Sequence, residues 1–297
     1  MGNVLFKYWI QAARPKTLFV SMAPVILAVA FASIYVKINW LPAVICLVFA
    51  VLAQVLSNFT NDYADGVKGI DADRIGPQRM VASGIILPKE MRRGIIFVGI
   101  LAFLIGFTLI YWAGWFLLPI GIIILSVALA YSAGPYPLSQ HGYGDLAVIL
   151  FYGLIPVILT FFIQTGAINF NIVVAGIAIG FLSDNLLIVN NVRDVDDDLR
   201  KGKRTTVGIF GKHMMSVVYH TNPLIAIASG FLFLYKIVSP LTWAIAMIPF
   251  LAYSIFVSAK FSKAKGLEFN KLIGLSSLES VLFSLTVVVV IILKYHV

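Results

Sequence analysis

Carboxylates and amides crowd two short stretches of this chain. The first reads Asn58-Phe-Thr-Asn61-Asp62-Tyr63-Ala-Asp65-Gly66-Val-Lys68-Gly69-Ile-Asp71, and the second Asn190-Asn191-Val-Arg193-Asp194-Val-Asp196-Asp197-Asp198. Eight of the 13 acidic residues fall within 62–73 and 194–198. Asn58, Asp62 and Asp65 recur at i, i+4 and i+7, and Asn190, Asp194 and Asp198 at i, i+4 and i+8, so a helix sets each trio on one face. Two such faces turned toward each other make a cage of hard oxygen ligands. Like charges gather beside a membrane only with a counter-ion. The ion that suits them is Mg²⁺, which keeps some waters and is completed by phosphate oxygens. Asp62, Asp65, Asp194 and Asp198 are therefore the acids expected to do chemistry, holding a metal and through it a diphosphate. Asp196 and Asp197 read as solvated, and Asp71 or Asp73 is a candidate to complete the first cluster.

Basic residues interleave with these acids: Lys68, Arg74, Arg79, Arg193, Lys203 and Arg204. A metal alone does not neutralise a diphosphate, and Arg forks and Lys point charges hold its non-bridging oxygens. Lys68, Arg74 and Arg193 are the expected diphosphate ligands. Tyr131, in Tyr131-Ser-Ala-Gly134-Pro135, can turn its ring toward a developing cation. Asp184 is an acid inside an apolar run, which marks it for function; it is expected to line the reaction chamber or to pair with a neighbour. Tyr131, Asp184 and Asn61 are the expected pocket residues. Asp145 reads as a helix cap. The histidines show no metal-ligand spacing, and no Walker, dinucleotide or Gly-x-Ser-x-Gly motif is present.

The elements that position these residues are membrane helices. Of 297 residues 60% are hydrophobic and 12% charged, about half the charge of a soluble domain. Nine apolar runs of about the length a bilayer needs lie near 17–36, 41–60, 94–113, 115–133, 145–163, 171–191, 214–235, 240–259 and 273–293. The expected fold is all-α: one polytopic domain over 1–297, nine transmembrane helices in a bundle around a central cavity. His220, Asn222 and Pro223 interrupt the seventh run. With nine spans, 19 of the 22 Lys and Arg residues fall on one side, which makes that side, with the N-terminus and both acidic clusters, cytoplasmic. The net charge of +9 then reflects topology, and no nucleic acid is expected as a partner. The lone Cys46 implies packing and no disulfide.

With these motifs in place, the chain resembles the UbiA superfamily of intramembrane prenyltransferases over nearly its whole length. The resemblance starts at Ala13-Arg14-Pro15-Lys16-Thr17-Leu18. It runs through Asn61–Asp71, Asp73-Arg74-Ile75-Gly76-Pro77 and Gly84, and ends its motif set at Asn190–Asp198. It is nearest to the branch that prenylates 1,4-dihydroxy-2-naphthoate for menaquinone. In the ubiquinone branch a lysine tends to follow the tyrosine that matches Tyr131, and none stands here. The resemblance implies a bacterial plasma-membrane enzyme, multi-pass with its N-terminus and active site cytoplasmic, with Mg²⁺ as cofactor. Polyprenyl diphosphate, 1,4-dihydroxy-2-naphthoate and membrane lipid are the implied partners. It gives Asn58 a role as a metal ligand and Asn191 one at the diphosphate. Two other classes fit less well. A CDP-alcohol phosphatidyltransferase needs its aspartates in one tighter span, and an ion-coupled transporter needs them at bilayer depth.

Overall fold

A computed structural model describes residues 2–69, 76 and 78–295, with side chains from residue 6. Among these residues the regular structure is helical: α1 (Gly2–Ala13), α2 (Pro15–Ala32), α3 (Trp40–Val67), α4 (Pro88–Thr108), α5 (Ile110–Ala113), α6 (Leu117–Ala130), α7 (Gly144–Ile149), α8 (Ile155–Thr165), α9 (Phe170–Arg200), α10 (Thr206–Leu234), α11 (Pro240–Lys263) and α12 (Phe269–Tyr295). A π-helical turn, Leu150–Leu154, joins α7 to α8.

Eight of the described segments are long and apolar enough to cross a membrane. The expected fourth span is α6, only 14 residues long, or about 21 Å at 1.5 Å per residue. Trp115 and Phe116 before it and Tyr131 after it extend the apolar stretch. The expected seventh span forms despite its polar residues. Its helix breaks at Gly211 (φ 85°) and then runs through Pro223. Asn222 is fully buried, donating to the Phe181 carbonyl (3.0 Å) and to Asn185 Oδ1 (2.9 Å).

Helix starts follow ordinary capping chemistry. Asn39, Asn169, Thr205 and Ser239 each accept a bond from the first turn of α3, α9, α10 and α11. The two helices run past the expected span ends at 60 and 191 and carry the described acids of both motifs. α3 continues through Asp65 to Val67, and α9 through Asp198 to Arg200. Asp197 pairs one turn ahead with Lys201 (2.5 Å), and Gly202, at φ 75°, ends the run.

α9 is the most buried of the spans and packs on α10, α12, α7, α8 and α2. The main core, with Phe31, Phe161, Ile172, Ile179, Phe233 and Phe283, lies toward the helix ends opposite the acidic motifs. Large apolar side chains such as Phe97, Trp115 and Phe170 are exposed on the outside, as on a surface that faces lipid.

Candidate active site

One cavity of about 280 Å³ runs from the acidic ends of α3 and α9 into the bundle. Its upper part is polar and charged. Its lower part, toward Phe49, Phe103, Phe107 and Leu118, is apolar.

The centre of the charged part is an ammonium between two carboxylates. Lys203 Nζ lies 3.5 Å from Asp65 Oδ2 and 3.6 Å from Asp198 Oδ1. This cation joins the two acidic motifs. Asp65 Oδ2 also accepts from Asn61 Nδ2 (3.3 Å), whereas Asp65 Oδ1 is buried with no hydrogen-bond partner among the described residues. A buried carboxylate oxygen left unpaired is costly. Arg14 Nη2 donates to Asn61 Oδ1 (2.6 Å), and Asn61 Nδ2 reaches Ser132 Oγ (3.0 Å). Arg14 is the one non-glycine residue described with positive φ, 53°. Such strain persists where the surroundings enforce it, and here it sets the guanidinium on the cavity wall. Arg79, also buried, lines the same wall.

The other expected residues divide. Asp194, Asn191 and Tyr131 line the cavity. Asp194 is held by a bidentate bond from Arg193, whose Nε and Nη2 lie 2.6 and 2.7 Å from its oxygens. Arg193 also donates to Asn270 and Asn190, its side chain has no exposed surface, and it does not line the cavity. Its placement is that of a guanidinium that orients Asp194, which differs from the expected contact with diphosphate. Lys68 caps α3, exposed and away from the cavity. Arg74, Asp71 and Asp73 lie outside the described residues. Asp62 faces away from the cavity: its oxygens accept from the backbone N–H groups of Val81 (2.8 Å) and Met80 (3.1 Å). Asn58 lines the cavity, one turn below Asn61, in a separate network of neutral groups. Asp184 is buried outside the cavity and shares a hydrogen bond with Asp145. Asp145 in turn accepts from Thr206 Oγ1 (2.7 Å) and is no cap. Asp196 is largely exposed beside Lys212, as a solvated acid should be. Asp197 instead lines the cavity and pairs with Lys201.

Among the described residues no three acids, histidines or cysteines converge to hold a metal by themselves. Two carboxylates that already share a cation, an unpartnered Asp65 oxygen and nearby amide oxygens nevertheless fit a hard divalent ion completed by phosphate. The placement of Asp62 gives a prediction. Asp62→Ala strips two buried N–H groups of their acceptor, at about 1–3 kcal/mol each. Asp62→Ala should therefore lower the melting temperature, whereas Asp65→Ala should keep that of the wild type. Equal melting of both variants would contradict this division of labour.

The profile of the UbiA prenyltransferase family matches residues 21–270. The chain is 34% identical over 276 residues to 1,4-dihydroxy-2-naphthoate octaprenyltransferase of Haemophilus influenzae, covering 86% of this chain and 87% of the relative. It is 35% identical over 211 residues to the Escherichia coli protein of the same name, covering 69% and 68%. Among solved structures, a UbiA homolog from Archaeoglobus fulgidus bound to GPP and Mg²⁺ superposes with a TM-score of 0.69 at 16% identity, covering 96% of this chain and 99% of that one. One from Aeropyrum pernix K1 gives 0.70 at 15% identity, covering 92% and 97%. The cavity at the joined acidic helix ends thus belongs to a known fold, and the chain is a member of the UbiA prenyltransferase family.

Proposed function

We propose that this chain transfers a polyprenyl group from polyprenyl diphosphate to 1,4-dihydroxy-2-naphthoate, with loss of CO₂, to give a demethylmenaquinone. The observation that carries this reading is the continuity of one cavity from a charged cluster into an apolar trough. One end suits a diphosphate and the other an isoprenoid tail. The relatives' names supply the acceptor.

Asp65 and Asp198, with Asp194 and the amides of Asn61 and Asn191, would hold Mg²⁺. When bound, Mg²⁺ neutralises the charge that builds on the departing diphosphate. Lys203, Arg79 and Arg14, which share the cavity with these acids, hold diphosphate oxygens in place of Lys68 and Arg193. Arg193 keeps Asp194 aimed. The allylic C–O bond breaks and its electron pair leaves with the diphosphate. Tyr131 lines the cavity, and its ring would stabilise the allyl cation through its π face. Ring carbon 2 of the naphthoate attacks and a C–C bond forms. The carboxylate then departs as CO₂, and its bonding pair restores the aromatic ring. The apolar walls exclude water that would otherwise capture the cation. The imbalance of 19 Lys and Arg residues to three supports a cytoplasmic N-terminus and active site in a bacterial plasma membrane.

Carbon-labelled carboxylate in the acceptor tests the reaction. Label should leave as CO₂ in a one-to-one ratio with prenylated product. Label kept in the product would exclude this acceptor chemistry and leave a UbiA-type transferase that does not decarboxylate.

A further inference from the structure

Below the charged cluster the cavity wall carries a network of neutral hydrogen-bonding groups: Thr17 on α2, Gln54 and Asn58 on α3, and Tyr152 in the π turn. They lie opposite the apolar side formed by α4 and α6, where Phe103, Phe107 and Leu118 suit an isoprenoid tail. Polar groups buried this deep in a bundle are costly unless each is matched.

The direction of every bond in this network follows from backbone carbonyls, which only accept. Asn58 Nδ2 donates to the Ala13 carbonyl (2.8 Å), which fixes the amide and turns Asn58 Oδ1 toward Gln54. Gln54 must then present its amino group to Asn58 Oδ1 (3.2 Å). The same amino group also donates to Thr17 Oγ1 (3.3 Å), and Thr17 spends its own proton on the Arg14 carbonyl (2.9 Å). Gln54 Oε1 is left facing Tyr152, whose hydroxyl donates to it. The proton of Tyr152 is thereby committed. What its Oη offers the cavity is lone pairs.

The backbone around Tyr152 is built to hold this aim. A π turn rotates side chains out of α-helical register and recurs at functional sites. Gly153 lies against Gly176 and Gly180 of α9, so closely that a Cβ at 153 would come within 2.5 Å of Gly180 Cα. Ser183 Oγ, which donates to the Ile179 carbonyl (2.8 Å), lies 3.4 Å from the Tyr152 carbonyl.

We infer that Tyr152, polarised by the Ala13–Asn58–Gln54 chain, is a hydrogen-bond acceptor that reads a hydroxyl donor on the aromatic acceptor and so selects the reduced, hydroxyl-bearing ring. The inference rests on the naphthoate reading above. Of that substrate's two hydroxyls, the one at carbon 1 is tied to the neighbouring carboxylate, as in salicylate. The hydroxyl at carbon 4 is free to donate outward. Its carboxylate then faces the cationic wall of Arg14, Arg79 and Lys203. An ether or quinone oxygen at carbon 4 would meet lone pairs with lone pairs, and a site built around a hydroxyl rejects such analogues strongly.

The test measures kcat/KM for 1,4-dihydroxy-2-naphthoate, 1-hydroxy-2-naphthoate and the 4-methoxy analogue, in wild type, Tyr152→Phe and Gln54→Leu. Tyr152→Phe should shrink the preference for the dihydroxy over the 1-hydroxy acceptor by roughly 10-fold or more, with the KM for polyprenyl diphosphate unmoved. Gln54→Leu frees the Tyr152 proton to donate, and should raise use of the 4-methoxy analogue relative to the dihydroxy acceptor. This second variant keeps the test open should Tyr152→Phe fail to fold. Equal losses on all acceptors, or a rise confined to the KM for the diphosphate, would overturn the inference while leaving the naphthoate reading intact. A wild-type enzyme that prenylates no naphthoate would overturn both.

Discussion

Asp65→Asn should lower turnover by about a thousandfold or more, and Asp198→Asn should do nearly the same. The reason is that the two carboxylates share a cation. Lys203 sits 3.5 and 3.6 Å from them, so the motifs of α3 and α9 act as one anionic site. Losing one preorganised charge at a reacting centre typically costs two to three orders of magnitude in rate, roughly 10²–10³. Here each loss also disrupts the metal and diphosphate that the partner carboxylate needs. The double variant should therefore be little slower than either single, because groups that hold one unit fail together. Initial rates in lipid vesicles, beside melting curves to show that the fold persists, provide the measurement. Losses that add in the logarithm of rate would mean the two acids serve separate steps. Excess chelator should abolish turnover in the wild type and added Mg²⁺ should restore it; full activity in chelator would remove the metal from the account.

The spans and the acidic clusters were legible because each rests on a one-dimensional signal. Hydropathy over about 20 residues marks a membrane helix, and a run of acids in a chain poor in them marks a site. Finer placement depends on packing that no spacing encodes. Asp62 and Asp65 are three residues apart and lie about 60° from each other around α3. That angle is small enough for both to seem to share a face. It is also large enough for Asp62 to bind the backbone at Met80 and Val81 while Asp65 enters the cavity. Arg193 and Lys203 are equally plausible by type, since basic residues collect on this side regardless of function. Only the fold shows that Arg193 is fully engaged by Asp194, Asn190 and Asn270 while Lys203 bridges the motifs. Arg14 reaches the cavity from a left-handed backbone position, a conformation that a residue preceding proline does not advertise. Tyr152 sits in the unremarkable apolar run Leu150-Phe151-Tyr152-Gly153-Leu154, and its aim is set by a π turn without a sequence signature. The nearest hint was Gly153 facing a Gly176-x₃-Gly180 pair, the pattern of small residues that lets membrane helices approach closely.

That close approach sets the second large effect. Gly153→Ala should destabilise the protein and also lower its turnover by about 100-fold. A Cβ at 153 would lie 2.5 Å from Gly180 Cα, 2.6 Å from Gly176 O and 2.8 Å from Gly180 N. All three atoms are backbone, so no side chain can swing away, and α9 itself must shift. Overpacking of this kind costs about 1–3 kcal/mol. The displacement also matters because α9 carries Asn191, Asp194 and Asp198 at one end and Ser183 beside Tyr152. A shift of about 1 Å at reacting groups can cost roughly 100-fold in rate. Gly99→Ala is the matched control. It lies in the interior of α4, where the added methyl meets only Leu56 Cδ1 at an ordinary 3.7 Å. There the better helix propensity of alanine should hold or raise stability by up to about 1 kcal/mol. Melting curves and initial rates of the two variants, side by side, decide the matter. If Gly153→Ala melts and turns over like Gly99→Ala, then the contact between the π turn and α9 does not hold the two halves of the site in register.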